Sequence, residues 1–202
     1  MNNNISAKSG SAFVGNFSKD LLLIDTEFSG FDLKKHELLQ IAAVLLDKRT
    51  LKEKKHFNSF IKSTKWKYRD PNAMAVNKIT LDKVKNAPTL KQVIKKFDSC
   101  FKKTEVLLTS YVGFADKKFL LDAYTKTHTD FKFDYHYYDI WSAAYTYFAK
   151  TNNLKSKKDF AGFGMEYMMS VLNIKSEVTH DALADCRIEA EILRKIMGKI
   201  LK

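Results

Sequence analysis

Apolar positions in this chain recur with two different periods. Residues 21–24 (Leu-Leu-Leu-Ile) form an unbroken apolar run ended by acids, the pattern of a strand buried on both faces. Residues 38–46 are a second apolar stretch. The turn-like Asp47-Lys48-Arg49-Thr50 follows, and residues 54–61 then set Phe57 and Phe60 among polar neighbours. These segments predict a hairpin beside the first strand. Residues 71–84 and 89–101 predict helices with Pro88 between them. In the second, Leu90, Val93, Ile94, Phe97 and Phe101 recur every three or four residues. The pattern continues with a strand over 105–108, a helix over 116–124, an aromatic-rich strand over 131–140, and helices over 141–148, 165–172 and 181–200. Three strands together, followed by alternating helices and strands, predict an α/β domain with a mixed sheet. Residues 1–18 predict a mobile tail, which leaves 19–202 as one domain with no repeat or linker dividing it.

Composition narrows the class. Hydrophobic residues are 45% of the 202, enough for a real core, so global disorder is excluded. No run approaches the ~18 apolar residues of a membrane helix, and the first thirty residues lack a signal-peptide core. Two cysteines, Cys100 and Cys186, make neither a disulfide framework nor a four-ligand zinc site, which predicts a soluble, cytoplasmic protein. The formal charge of +12 attracts polyanions. Its basic stretches are Lys52, Lys54 and Lys55, then Lys62, Lys65, Lys67 and Arg69 interleaved with Trp66 and Tyr68, then Lys155, Lys157 and Lys158. Such a pattern suits a track for single-stranded nucleic acid, with lysines on phosphates and aromatics on bases. It equally suits a solvated lysine face.

The acids that sit among apolar residues carry the chemistry. Asp25 and Glu27 follow the first apolar run two apart, so in a strand they share a face. Two like charges there repel and resist desolvation, and a bound cation would relieve both. The same pair suits a strand that simply ends at Asp25. On the last helix Asp185 projects at the border of the apolar arc, and Glu189 falls within that arc. His180, if helical, would point about 140° from Asp185, so cooperation requires it to lie in the preceding loop with Thr179 or Asp181 as cap. Asp116 stands at a helix start after a strand, where α/β sheets place ligands and where an acid also serves as a cap.

Taken together and in order, Asp25-Thr26-Glu27, Asp116, and His180 with Asp185 resemble the DEDDh family of 3′-to-5′ exonucleases. That family includes the epsilon proofreading subunit of bacterial DNA polymerase III, ribonuclease T and oligoribonuclease. Residues 24–30 are similar to its first motif, 116–120 to its second, and 180–185 to its third. A histidine five before the last aspartate marks this branch; the sister branch has tyrosine four before it, where this chain has Asp181. The chain departs from the family pattern at Tyr111-Val112 and Ala115, in place of His-Asn and Phe, and at Asn77-Lys78, in place of His-Gly.

The resemblance implies a ribonuclease H-like fold, a five-stranded mixed sheet flanked by helices. It implies two divalent cations, Mg²⁺ or Mn²⁺, held by Asp25, Glu27, Asp116 and Asp185. His180 would take a proton from the attacking water, a task suited to an imidazole. Thr26, Phe28, Val76 and Asn77 would face the terminal nucleotide of a single-stranded DNA or RNA, which leaves as a 5′-monophosphate. A polymerase partner is compatible with the chain but not indicated by it. The alternative is a non-catalytic nucleic-acid-binding module on the same fold.

Overall fold

The computed structural model of the chain describes residues 15–101, 105–151, 164–176 and 178–200. Strand β1 (Asp20–Phe28) pairs antiparallel with β2 (Leu38–Leu46), which pairs antiparallel with β3 (Glu53–Phe60). On its other side β1 runs parallel to β4 (Val106–Ser110), and β4 parallel to β5 (Tyr137–Asp139). The sheet order is β3-β2-β1-β4-β5, a five-stranded mixed sheet with β1 at its centre. The helices are α1 (Pro71–Asn77), α2 (Leu81–Lys85), α3 (Leu90–Phe101), α4 (Gly113–Thr127), α5 (Ile140–Lys150), α6 (Met165–Val171) and α7 (Ala182–Ile200). Among the described residues, no helix is long and apolar enough to cross a membrane.

The pleat of β1 distributes the core between two layers. Leu21 and Leu23 join Ala42 and Val44 under α5 and α7, where Ile140, Ala144, Cys186, Leu193 and Ile196 pack. Leu22 and Ile24 point the other way, into Val93, Ile94 and Phe97 of α3 and Phe119, Leu120 and Tyr124 of α4. All four β1 residues are fully buried, which is why this strand reads as a continuous apolar run.

Two expected elements differ. The helix expected over 71–84 is broken in two: Asp70 caps α1 from Asn72 N–H at 2.7 Å, Pro71 takes the first helical position, and Lys78 closes the helix with a left-handed φ of 53°. Asn77 Oδ1 accepts from Ile79 N–H at 3.0 Å, satisfying the backbone outside a helix. Of the strand expected over 131–140, only Tyr137–Asp139 joins the sheet. Phe131 instead sets its ring edge-on to Tyr124, and Phe133 packs against Phe97, so these alternating aromatics seal a core edge without a backbone ladder. Residues 15–18, expected in the tail, are tied to the β2–β3 turn by Gly15 N–H to Arg49 C=O at 2.8 Å and Phe17 N–H to Lys48 C=O at 3.2 Å. Residues 1–14 lie outside the described residues.

Phe97 is the centre of the α3–α4 layer, with Phe57 at 5.4 Å and Phe101 at 5.2 Å between ring centroids. Phe97→Ala is expected to lower the unfolding free energy by about 3–5 kcal/mol, measured by urea denaturation. A loss under about 1 kcal/mol would contradict this packing role.

Candidate active site

Three distant stretches of chain meet at the carboxyl end of β1. Asp25 and Glu27 leave β1 on the face covered by α7, and the register shift between Glu27 and Phe28 marks a bulge just past them. Asp116 comes from the first turn of α4, whose start at Gly113 crosses the Tyr137 ring so closely that a Cβ would collide with it. Asp185 lies in the first turn of α7, and His180 in the loop before it, with a left-handed φ of 51°. Asp181 caps α7 through Ala184 N–H at 3.2 Å. Glu27, His180 and Asp185 each offer a ligand atom within 4.8 Å of the others.

Thr26 binds the centre together. Its side chain leaves β1 toward α4, and both its N–H, at 2.9 Å, and its Oγ1, at 2.7 Å, donate to Asp116 Oδ1. Asp185 Oδ1 accepts from Thr179 N–H at 3.3 Å. Gln40, paired with Glu27 across the β1–β2 ladder, is buried and donates to Asp181 Oδ2 at 3.0 Å. The Thr26 and Gln40 ties had no sequence signal: a threonine between two acids and a glutamine in an apolar strand are unremarkable until the neighbours are known.

These carboxyls resist ionisation. Burial, then the charges of Asp116, Glu27 and Asp185, pushes Asp25 well above the usual carboxylate range. Burial, then Asp185, Asp116 and Asp181, raises Glu27 to about 8. Burial raises Asp116 to about 6 against the opposing bonds from Thr26. Asp185 is raised by burial, with the Thr179 bond and His180 opposing. Asp25 Oδ2 is buried with no hydrogen-bond partner. Among the described residues, no lysine or arginine forms an ion pair with any of the four acids. Hard oxygen donors that repel one another, one of them orphaned, fit divalent cations such as Mg²⁺ or Mn²⁺.

The other sequence-derived candidates are placed as follows. Phe28 stacks on Phe119 at 4.3 Å and meets the exposed Phe31 edge-on at 4.9 Å. Asn77 is buried, and its Nδ2 donates to Phe28 C=O at 3.1 Å. Val76 is 51% exposed on α1, and no described contact links it to the acids. Trp66 is partly buried against Leu39, Ile79 and Val84, with the Arg69 guanidinium over its ring at 5.0 Å. Lys54 pairs with Asp20 at 2.7 Å, and Lys55 donates to Cys100 C=O at 2.8 Å. Lys155, Lys157 and Lys158 lie outside the described residues.

A central sheet of this order with an acid-and-histidine centre at the end of β1 defines the ribonuclease H-like exonuclease class. The nuclease domain of 3′hExo, a DEDDh family member bound to rAMP, superposes with a TM-score of 0.74 at 20% identity, covering 92% of this chain and 94% of that one. Cell-death related nuclease 4 (CRN-4) gives 0.75 at 16%, over 93% and 66%. E. coli exonuclease I in complex with a dT13 oligonucleotide gives 0.72 at 15%, over 88% and 40% of the two chains. No curated protein sequence matches the chain. The exonuclease family model of the RNase T type matches residues 22–193, and the chain belongs to that family.

The raised carboxyls give stability a pH dependence of definite sign. An acid whose folded pKa exceeds its unfolded value stabilises the fold fully below the unfolded value, and that contribution is lost as pH rises through the folded one. In chelator, the melting temperature is expected to fall as pH rises from 4.5 through about 8 for Glu27, and from 3.8 through about 6 for Asp116. Scanning calorimetry across that window checks this, and a flat or rising profile contradicts it.

Proposed function

We propose that this chain, through a single domain beginning near Lys19, is a metal-dependent 3′-to-5′ exonuclease. It hydrolyses the terminal phosphodiester of single-stranded DNA or RNA and releases nucleoside 5′-monophosphates. The reading is carried by one observation: acids from β1, α4 and α7 meet beside a loop histidine, and they repel one another unless cations are present. Membership of the exonuclease family supports the same chemistry.

Asp25, Glu27, Asp116 and Asp185 would hold two divalent cations, Mg²⁺ or Mn²⁺. Such ions, when bound, stabilise both the attacking and the leaving oxygen of an in-line displacement. A ring nitrogen of His180 receives the proton of the attacking water as its oxygen bonds to phosphorus. The bond from phosphorus to the 3′-oxygen of the penultimate nucleotide breaks, and that oxygen takes a proton from solvent. Thr26 keeps Asp116 aimed at the centre, and Thr179 does the same for Asp185. Phe28 would offer an apolar surface to the terminal nucleotide, with Asn77 holding the Phe28 carbonyl, and Thr26 and Val76 would face the same nucleotide.

A 5′-labelled oligonucleotide incubated with Mg²⁺ is expected to shorten stepwise from its 3′ end and to remain intact in chelator. Chelator-insensitive shortening, or none with Mg²⁺ or Mn²⁺, overturns the reading; binding without hydrolysis marks the non-catalytic alternative. Millimolar Mg²⁺ or Mn²⁺ should raise the melting temperature, since the ions bind only the folded state. Asp25→Ala and His180→Ala should each lose about 10²-fold or more in rate with unchanged circular dichroism. Wild-type rates in a clean Asp25→Ala preparation would contradict the assignment.

A further inference from the structure

Glu189 is the buried acid that the exonuclease motifs leave without a task. It lies on α7 one turn beyond Asp185, so the two side chains leave neighbouring positions on one helix face. It is 2% exposed, and its Oε2 is buried with no hydrogen-bond partner. Its carboxyl accepts from the backbone N–H of Tyr111, at the end of β4. Burial and then the charges of Asp25, Asp116 and Asp185 push it well above the usual carboxylate range. The arginines of α7 are committed elsewhere: Arg187 pairs with Glu53 at 3.0 Å and Arg194 with Glu191 at 2.8 Å. Core packing gives no reason to keep a carboxyl with a free oxygen here, because an apolar side chain would avoid both desolvation and repulsion.

We propose that Glu189 is a fifth carboxylate of the cation centre, a positioning residue that adds negative charge behind Asp25, Asp116 and Asp185 and so sets how tightly the centre holds divalent ions. It replaces none of the four acids. The inference rests on the cation-dependent reading above. Outer groups around a metal site tune affinity without touching the ion, and a second anionic layer deepens the potential well that a cation enters.

The test is calorimetric titration of Mn²⁺ into the full chain and into Glu189→Gln, with thermal melts in chelator and in saturating Mn²⁺. Glu189→Gln keeps an oxygen for the Tyr111 N–H but removes the charge. It should bind Mn²⁺ about 10- to 100-fold more weakly, yet melt in chelator at or above the wild-type temperature because repulsion is relieved. Glu189→Met removes the charge with an apolar side chain of similar length and should weaken Mn²⁺ binding as much. A purely structural glutamate would lower the chelator melt and leave affinity alone, and that result overturns the proposal. Wild-type affinity in Glu189→Gln with loss only in Glu189→Met would show that the Tyr111 bond matters rather than charge, and also overturns it. If the wild-type chain binds no Mn²⁺, the cation-dependent function fails as well; equal Mn²⁺ affinity in wild type and Glu189→Gln defeats this inference alone.

Discussion

Repulsion between carboxyls held out of water governs the carboxyl end of this sheet. Asp116 and Asp185 are buried and Asp25 and Glu27 partly so, and burial together with the charges of Asp116, Glu27 and Asp185 resists the ionisation of Asp25. A hydrophobic core tolerates one such group when hydrogen bonds surround it, and Asp116 has two from Thr26. It does not tolerate four without positive charge. Three secondary-structure elements bring these groups together, and their mutual repulsion opposes the stability of the fold.

The alternation of β1 is how the fold achieves the convergence. Leu21, Leu23, Asp25 and Glu27 face α7, while Leu22, Ile24 and Thr26 face α3 and α4. The same two-residue period that fills two core layers therefore sends acids toward one helix and a hydroxyl donor toward the other. Thr26 grips Asp116 from one side of the strand while its neighbours meet Asp185 and His180 on the opposite side. One strand thus registers two helices that never need to touch each other at the site. A one-residue slip of β1 would exchange these duties and bury the wrong groups.

Much of this was legible in the chain. The apolar run of residues 21–24 announced a central strand, and the arc of α7 placed Asp185 at its border with Glu189 inside it. A cooperating histidine requires His180 in the loop with Thr179 or Asp181 as cap; the structure makes Asp181 the cap and adds a left-handed His180 that no residue pattern announced. What sequence could not supply was long-range pairing. Thr26 and Asp116 are 90 residues apart, and Gln40 and Asp181 are 141 apart, so no local period connects them. The aromatic run 131–140 misled for a related reason: Phe131 and Phe133 obey a strand's alternation while serving as ring plugs for Tyr124 and Phe97. The break at Lys78 was hidden because nothing in its side chain signals a left-handed turn.

The departures from the family pattern leave the oxygen donors in place. Lys78 takes a left-handed φ where the pattern has glycine, so the turn is kept at the expense of a strained side-chain residue. Asn77, where the pattern has histidine, is closed at both ends, its amide donating to Phe28 C=O and its oxygen accepting from Ile79. Its polar atoms therefore hold the Phe28 backbone instead of projecting into the space beyond it. Tyr111, where the pattern has another histidine, is buried and lends its N–H to Glu189. The four acids and His180 sit on β1, on the first turns of α4 and α7, and in the loop before α7; the exchanges sit at the ends of α1 and β4 and, at Val112 and Ala115, at the start of α4 beside Asp116, and none replaces an acid or His180. The exchanges change what surrounds the centre, and its oxygen donors stay as the fold positions them.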